Sequence, residues 1–282
     1  MTYMNPYPSP RKFSMNNLSS TSHVEPSVSA GNIMWNIFFD LDHTLWDFEQ
    51  NSKQTLFSLY QKYELSDKII NNETISFDDF LIAFQTTTKF LWKQHHLGLV
   101  DKTKIRQLRF TLIFEELHKM KNKKELFDKM AYQNFEQNLL EELEDEYQYT
   151  CPRQPNLLPF ALEMLTYLQS KGYQLHILTN GFEESQKLKL EHSGILPFFK
   201  NIITSDCTGY TKPNPIIFNH ALTISNATPQ NSIMIGDSFD ADILGARSLG
   251  MKTIFYNPHK KTPQYSVASY DIACWKEIEK IL

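Results

Sequence analysis

Apolar and polar residues follow two different patterns along the chain. Residues 35–40 (WNIFFD) form a short, bulky apolar run that ends in an acid, which predicts a buried strand. From about residue 49 to residue 149 the apolar positions recur at helical spacing, and Gly98 is the one Gly or Pro in that stretch. We predict four or five helices there, packed as a small bundle. The aromatic residues expected in the bundle core are Phe90, Trp92, Phe110 and Phe114.

After Pro152 and Pro155 the pattern changes to an alternation of short apolar runs and helical segments. The predicted strands are residues 174–179, 201–204, 232–235 and 253–256. The predicted helices are residues 159–170, 183–192, 215–224, 241–249 and 275–282. Strands that alternate with helices are typical of parallel βαβ units. The predicted fold class is therefore α/β, a Rossmann-like three-layer parallel sheet with an α-helical bundle inserted after its first strand.

This pattern predicts a domain organisation. Residues 34–47 and 156–282 are expected to form the α/β core, and residues 48–155 the helical insertion. Residues 1–33 contain seven Ser within the first thirty positions and lack the continuous apolar segment of a secretory signal. They are expected to be either a disordered tail or residues ahead of a later start, with Met15 and Met34 as candidates.

Composition narrows the class of protein. Apolar residues make up 41% of the 282, which is enough for a substantial core, and the net charge of −4 gives no electrostatic footprint for nucleic acid or an anionic membrane. No apolar run reaches the roughly 18–20 residues needed to span a bilayer. Three widely spaced cysteines, Cys151, Cys207 and Cys274, favour a reducing cytoplasm. A cytoplasmic monomer or weak homodimer is expected.

Polar residues gather where the predicted strands end. The first strand runs into Asp40-Leu41-Asp42, the second into Thr179-Asn180-Gly181 and the fourth into Gly236-Asp237, while Lys212 precedes a helix. Ligands bind at the carboxyl ends of strands in open parallel sheets. A carboxylate cluster at such a place repels itself unless a hard cation or a lysine compensates, which favours Mg²⁺.

Each of these motifs has an ordinary explanation when it stands alone. Loops are rich in Asp, Thr-Asn-Gly is a common turn sequence, and residues 237–242 could simply begin a helix, where Asp is favoured near the positive end. Taken together, in this order and each after a strand, the motifs are improbable as coincidence.

The four motifs resemble those of the haloacid dehalogenase (HAD) superfamily of aspartate-nucleophile phosphohydrolases. DLDHTL, ILTNG, TKPNPIIF and IGDSFDAD match its first to fourth motifs, and the resemblance covers residues 35–282. The helical insertion is similar to the type 1 cap of that family. One departure is His43, where most members have Gly. It lies between the catalytic acid and the motif Thr, so we expect the chemistry to be intact.

The resemblance implies a role for each motif residue. Asp40 would be the nucleophile that forms an aspartyl-phosphate, and Asp42 the general acid and base, with its pKa raised by neighbouring carboxylates. The Thr179 hydroxyl, helped by the Asn180 backbone, would bind phosphate together with Gly181, and Lys212 would neutralise phosphate charge and steady Asp40.

The resemblance also implies a metal site. Mg²⁺ would bind the Asp40 carboxylate, the Asp42 backbone carbonyl and Asp237. Either Asp242 or Asp240 would be the second acid of the fourth motif, with Asp242 favoured, and Thr44 would fix the loop after Asp42.

The sequences around the motifs are similar to a bacterial subgroup of pyrimidine 5′-nucleotidases, which implies UMP, dUMP or dTMP as substrate. Trp46, Phe48 and Phe182 would then either stack on a base or pack between the domains. His95 and His96 are expected to be solvated or structural.

Four rival functions remain open. The nearest is a phosphatase for another small phosphate, such as a sugar phosphate or phosphoglycolate, followed by a phosphomutase. A silent binding module is disfavoured because Asp40, Asp42, Lys212 and Asp237 are all present, and a dehalogenase is disfavoured by Asp42.

Overall fold

The computed structural model describes residues 34–70, 73–121, 137–260 and 267–282. The expectations for residues 1–33 therefore lie outside the described residues. Residues 34–282 form one compact unit, so the division into a core and an inserted bundle stays a prediction.

A six-stranded, all-parallel sheet lies at the centre of the fold, in the order β5-β4-β1-β6-β7-β8. Its strands are β1 (Asn36–Phe39), β4 (Gln174–Thr179), β5 (Phe199–Thr204), β6 (Ser232–Gly236), β7 (Lys252–Tyr256) and β8 (Tyr270–Ile272). β4, β1 and β6 are adjacent in this order, so the residues at their carboxyl ends meet near the middle of one sheet edge. The predicted α/β fold is confirmed.

Helices cover both faces of this sheet, as the alternation of patterns predicts. They are α5 (Ala161–Ser170), α6 (Glu183–His192), α7 (Pro215–Ile224) and the short α8 (Gly245–Ser248). Ile37 and Phe39 pack into the larger hydrophobic cluster, while Phe38 packs into a second cluster with α7. Successive side chains of a strand point to opposite faces, so a strand covered on both sides is apolar throughout.

The inserted segment contains four helices among the described residues, as predicted. They are α1 (Phe48–Lys62), α2 (Phe77–His96), α3 (Lys102–Lys121) and α4 (Gln137–Thr150), and a two-stranded ribbon of β2 (Ile69–Ile70) and β3 (Glu73–Thr74) precedes α2. Two adjacent backbone segments connect it to the sheet: Asp47 N donates to Asn156 O at 3.1 Å, and Leu158 N donates to Leu45 O at 2.8 Å. Both ends of the insertion thus leave the sheet side by side.

The prediction for the bundle core is right for two aromatic residues and wrong for one. Phe110 and Phe114 are buried and Trp92 is half-buried, but Phe90 is 52% exposed. The buried residues of α2 are Phe80, Ala83, Phe84, Thr87 and Leu91. Phe90 precedes Leu91 by one position, which turns it about 100° away from that face.

Three other elements differ from the prediction. Residues 239–244 form a π-helical turn, so the predicted helix over residues 241–249 is split between Phe239–Leu244 and α8. The C-terminal helix is a 3₁₀ helix, Trp275–Lys280. The edge strand β8, a mixed sequence of three residues, was not predicted.

Candidate active site

The carboxyl ends of the adjacent strands β4, β1 and β6 bring the first, second and fourth motifs together. Asp40 follows β1, and its backbone N donates to Ile235 O of β6 at 2.9 Å. Thr179 ends β4, and Asp237 follows β6. The third motif reaches the same place from the loop before α7, because the Lys212 ammonium lies between these strand ends.

Lys212 is the most deeply buried cation of the site, with 2% of its surface exposed. Its Nζ lies 2.7 Å from Asp40 Oδ1 and 2.7 Å from Asp242 Oδ1. It also donates to Leu178 O at 2.7 Å. Burial opposes its charge, but Asp242 and Asp40 outweigh burial and raise the pKa of Lys212 above its usual range. The lysine therefore stays charged and fixes two carboxylates at once.

Three acids form a cluster that suits a divalent cation. One carboxylate oxygen from each of Asp40, Asp237 and Asp242 lies within 4.8 Å of the others. Burial and the Asp40 charge raise the pKa of Asp237 to about 7, and burial also raises the pKa of Asp242 despite its lysine partner. Such crowding marks a place where a cation would be bound favourably.

The fourth motif offers two acids, and they differ in burial. Asp242 is 1% exposed and accepts a hydrogen bond from Ser238 N at 3.0 Å, whereas Asp240 is exposed to solvent. Gly236 leaves room for Asp242, because a Cβ on that glycine would lie 2.1 Å from Asp242 Oδ2. The assignment of Asp242 as the second acid stays a prediction, and this geometry supports it.

Thr44 contacts Asp237, as a residue that fixes the loop would. Its hydroxyl donates to Asp237 Oδ1 at 3.1 Å and accepts from Asp237 N at the same distance. His43, the departure from the family pattern, has a φ of 61°, a left-handed conformation that glycine adopts most easily. Its ring lies 4.9 Å from that of Phe48, and the side chain is exposed.

The second motif lies beside the loop that carries Lys212. The Thr179 hydroxyl accepts a hydrogen bond from Gly181 N at 3.1 Å. The Asn180 side chain holds the lysine loop: Lys212 N donates to Asn180 Oδ1 at 2.6 Å, and Asn180 Nδ2 donates to Lys212 O at 3.0 Å. The sequence suggested only a backbone contribution from Asn180, so this positioning contact is an addition.

The expectation for Asp42 is wrong in one respect. Its nearest partners are not carboxylates but Lys189, whose Nζ lies 2.6 and 2.8 Å from its two oxygens, and Gln186, whose Nε2 donates at 2.9 Å. Burial raises the pKa of Asp42, but Lys189 and the hydrogen bonds outweigh it and lower the pKa below its usual value. No sequence motif identifies this pair: Gln186 and Lys189 are two polar residues three positions apart on a predicted helix, a common spacing.

The aromatic residues near the site pack between elements. Trp46 is fully buried and donates from Nε1 to Gln154 O at 3.0 Å. Phe182 is 6% exposed and stacks on Trp92 with ring centroids 5.4 Å apart. Of the two open interpretations, packing therefore describes Trp46 and Phe182, while Phe48 is half-buried.

The two histidines of α2 have different surroundings. His95 Nδ1 lies 2.9 Å from Val100 O and has a structural role, as expected. His96 Nε2 lies 3.5 Å from Asn180 Nδ2, beside the second motif. Partial burial, with the charges of His95 and Lys212, lowers the pKa of His96. The helical insertion thus brings an imidazole to the rim of the site.

Comparisons with known proteins agree with the geometry. The family described as haloacid dehalogenase-like hydrolase matches residues 36–250. The pyrimidine 5′-nucleotidase PynA of Streptococcus pneumoniae is 28% identical over 241 residues, which are 83% of this chain and 91% of that protein. The glyceraldehyde 3-phosphate phosphatase of Methanothermobacter thermautotrophicus is 42% identical over 99 residues, 35% of this chain and 44% of that protein.

A solved structure extends the likeness to the whole fold. The crystal structure of the HAD-hydrolase YfnB from Bacillus subtilis, bound to magnesium, has a TM-score of 0.70 and 26% identity, and covers 88% of this chain and 98% of its own. Among the described residues of the present chain, no helix is long and apolar enough to cross a membrane.

Proposed function

The chain belongs to the haloacid dehalogenase-like hydrolase family, and we propose that it is a Mg²⁺-dependent phosphomonoesterase that acts on pyrimidine nucleoside 5′-monophosphates through an aspartyl-phosphate. One observation carries the chemistry: the Asp40 carboxylate lies at a strand end, held by the buried Lys212 ammonium, within a cluster of two further acids.

The donor set fits Mg²⁺, a hard cation that prefers oxygen ligands. Asp40 and Asp237, with the backbone carbonyl of Asp42, would hold the ion. Asp242 would instead keep Lys212 in place. When bound, the ion supplies positive charge that screens the nucleophile from the phosphate and stabilises the transferring phosphoryl group.

The first half-reaction needs a nucleophile and a proton donor. An Asp40 oxygen attacks phosphorus, the ester P–O bond breaks, and the leaving oxygen takes a proton from Asp42. Asp42 must carry that proton when substrate is bound, although Lys189 and the hydrogen bonds lower its pKa in the free protein. Lys212 and the Thr179 hydroxyl offset the negative charge of the phosphoryl oxygens. In the second half-reaction, water attacks the phosphorus of the aspartyl-phosphate, Asp42 takes the water proton, and Asp40 is released as a carboxylate.

The nucleotide substrate is supported by the similarity to PynA, which extends over most of both chains. His96, on the inserted helix α2, lies next to Asn180, and in this proposal it would contact the part of the substrate beyond its phosphate. A second candidate is a sugar phosphate, favoured by the 42% identity to a glyceraldehyde 3-phosphate phosphatase over 99 residues.

A substrate panel separates the two candidates. Phosphate release is measured for UMP, dUMP, dTMP, purine monophosphates and triose or hexose phosphates, each with Mg²⁺ and with EDTA. We expect Mg²⁺-dependent turnover concentrated on the pyrimidine nucleotides, and none for Asp40→Asn. Turnover concentrated on sugar phosphates would contradict the nucleotide assignment, and turnover that EDTA leaves unchanged would contradict the metal.

A further inference from the structure

Gln186 and Lys189 form a polar pair on the buried side of α6. Gln186 is 1% exposed and Lys189 is 7% exposed. None of the four motifs contains them, yet both contact Asp42.

A lysine is rarely buried unless its charge is paired. The ammonium of Lys189 has Asp42 as its ionic partner, and it also lies over the Trp46 ring, 4.5 Å from the centroid. A cation near an aromatic face is attracted to it. The lysine is thus held between Trp46 and Asp42, and its ammonium contacts that carboxylate at 2.6 and 2.8 Å.

Gln186 connects Asp42 to the second motif. Its Nε2 donates to Asp42 Oδ2 at 2.9 Å and lies 3.3 Å from Thr179 Oγ1. The side chain reaches this position over Gly181, where an added Cβ would lie 1.5 Å from Gln186 Nε2. The glycine of the motif therefore leaves room for the glutamine.

Donors on both carboxylate oxygens fix the rotation of the Asp42 side chain. We propose that Gln186 and Lys189 are positioning residues that hold the Asp42 carboxyl group in the orientation from which it exchanges a proton with the leaving oxygen and then with water; the inference rests on the proposed function. Neither residue needs to touch the substrate, because both act through Asp42.

The test compares Lys189→Met with Lys187→Met, an exposed lysine on the same helix. General acid catalysis contributes about 10²–10⁴-fold to typical reactions. We therefore expect Lys189→Met to lower kcat on the best nucleotide by about 10- to 100-fold, with KM changed by less than about 3-fold. Lys189→Arg, which keeps the charge, recovers most of the loss, and Lys187→Met behaves as the wild type.

The leaving group separates positioning of Asp42 from a general structural role. A 4-nitrophenolate group leaves without a proton, so phosphorylation of the enzyme by 4-nitrophenyl phosphate, followed in a single turnover, is expected to change by less than about 3-fold. A thermodynamic cycle adds a second readout: in an Asp42→Asn background, Lys189→Met has no further effect on kcat because the group it positions is already lost.

Defined results would overturn the inference. The inference is contradicted if Lys189→Met keeps the wild-type kcat, or if its loss of rate is equal with both leaving groups. It is also contradicted if Lys189→Met causes a full further loss of kcat in the Asp42→Asn background. If Lys189→Met does not fold, Gln186→Met decides by the same readouts. A wild-type protein inactive on every phosphomonoester would instead contradict the proposed function itself.

Discussion

Removal of the Asp242 charge is the perturbation with the clearest expected size. Lys212 is 2% exposed and Asp242 is 1% exposed, and their charged atoms lie 2.7 Å apart. Breaking a buried ion pair by removing one partner costs about 3–5 kcal/mol. Because Asp40 still pairs with Lys212, and because burial and the neighbouring acids already disfavour the Asp242 charge, we expect Asp242→Asn to lose less than that range, about 2 kcal/mol.

This loss is measured by thermal and urea unfolding of the metal-free protein. For a domain of this size, about 2 kcal/mol lowers Tm by roughly 4–8 °C. The matched control is Asp240→Asn, which removes the same charge two residues away at an exposed position and is expected to stay within about 0.5 kcal/mol of the wild type. Equal effects of the two substitutions would refute Asp242 as the partner of Lys212.

Three further predictions concern titration and reactivity. The pKa of Asp237 is raised to about 7, so the folded protein without metal loses stability as pH rises from about 4 through 7. The increase in Tm on adding Mg²⁺ should grow from pH 6 to 8, because Asp237 must be deprotonated to bind the ion. An increase in Tm that does not depend on pH would contradict this. Burial lowers the pKa of His176 to about 4, so the stability it contributes is lost as pH falls below about 6.5, at up to about 1.4 kcal/mol per pH unit. The free energy of unfolding, measured with urea at several pH values, should therefore fall less steeply with decreasing pH in His176→Gln than in the wild type. The exposed His192→Gln should keep the wild-type pH dependence. Cys207 is exposed, whereas burial raises the pKa of Cys151, so a thiol reagent should label Cys207 first and Cys151 only after unfolding; early labelling of Cys151 would contradict its burial.

The sequence predicts those parts of the fold that depend on local patterns. β1 is apolar on both faces because it is central in the sheet, so its run of bulky residues was enough to predict it. β8 lies at the sheet edge and pairs with β7 alone, so its three residues carry no such pattern. Phe90 shows the limit of periodicity: a shift of one position moved it from the buried face to solvent.

The candidate site was predictable where a motif encodes it and not where tertiary contacts create it. The apolar pattern already predicts that the strands end at one sheet edge. Asp40 and Asp237 follow such strands, Thr179 ends one, and Lys212 lies in the loop before a helix. The pairing of Asp42 with Lys189 joins residues 147 positions apart, and no local rule specifies which buried lysine meets which acid. The expected pKa of Asp42 was wrong for the same reason.

The most direct test of the proposed chemistry is the chemical identification of the phosphorylated residue. Turnover of UMP with Mg²⁺ is stopped with acid, the acyl phosphate is reduced with borohydride, and the modified peptide is identified by mass spectrometry, with Asp40→Asn as the control. We predict modification at Asp40 alone and none in the control. A modification on any other residue, or hydrolysis of UMP with no modified residue under single-turnover conditions, would contradict Asp40 as the nucleophile.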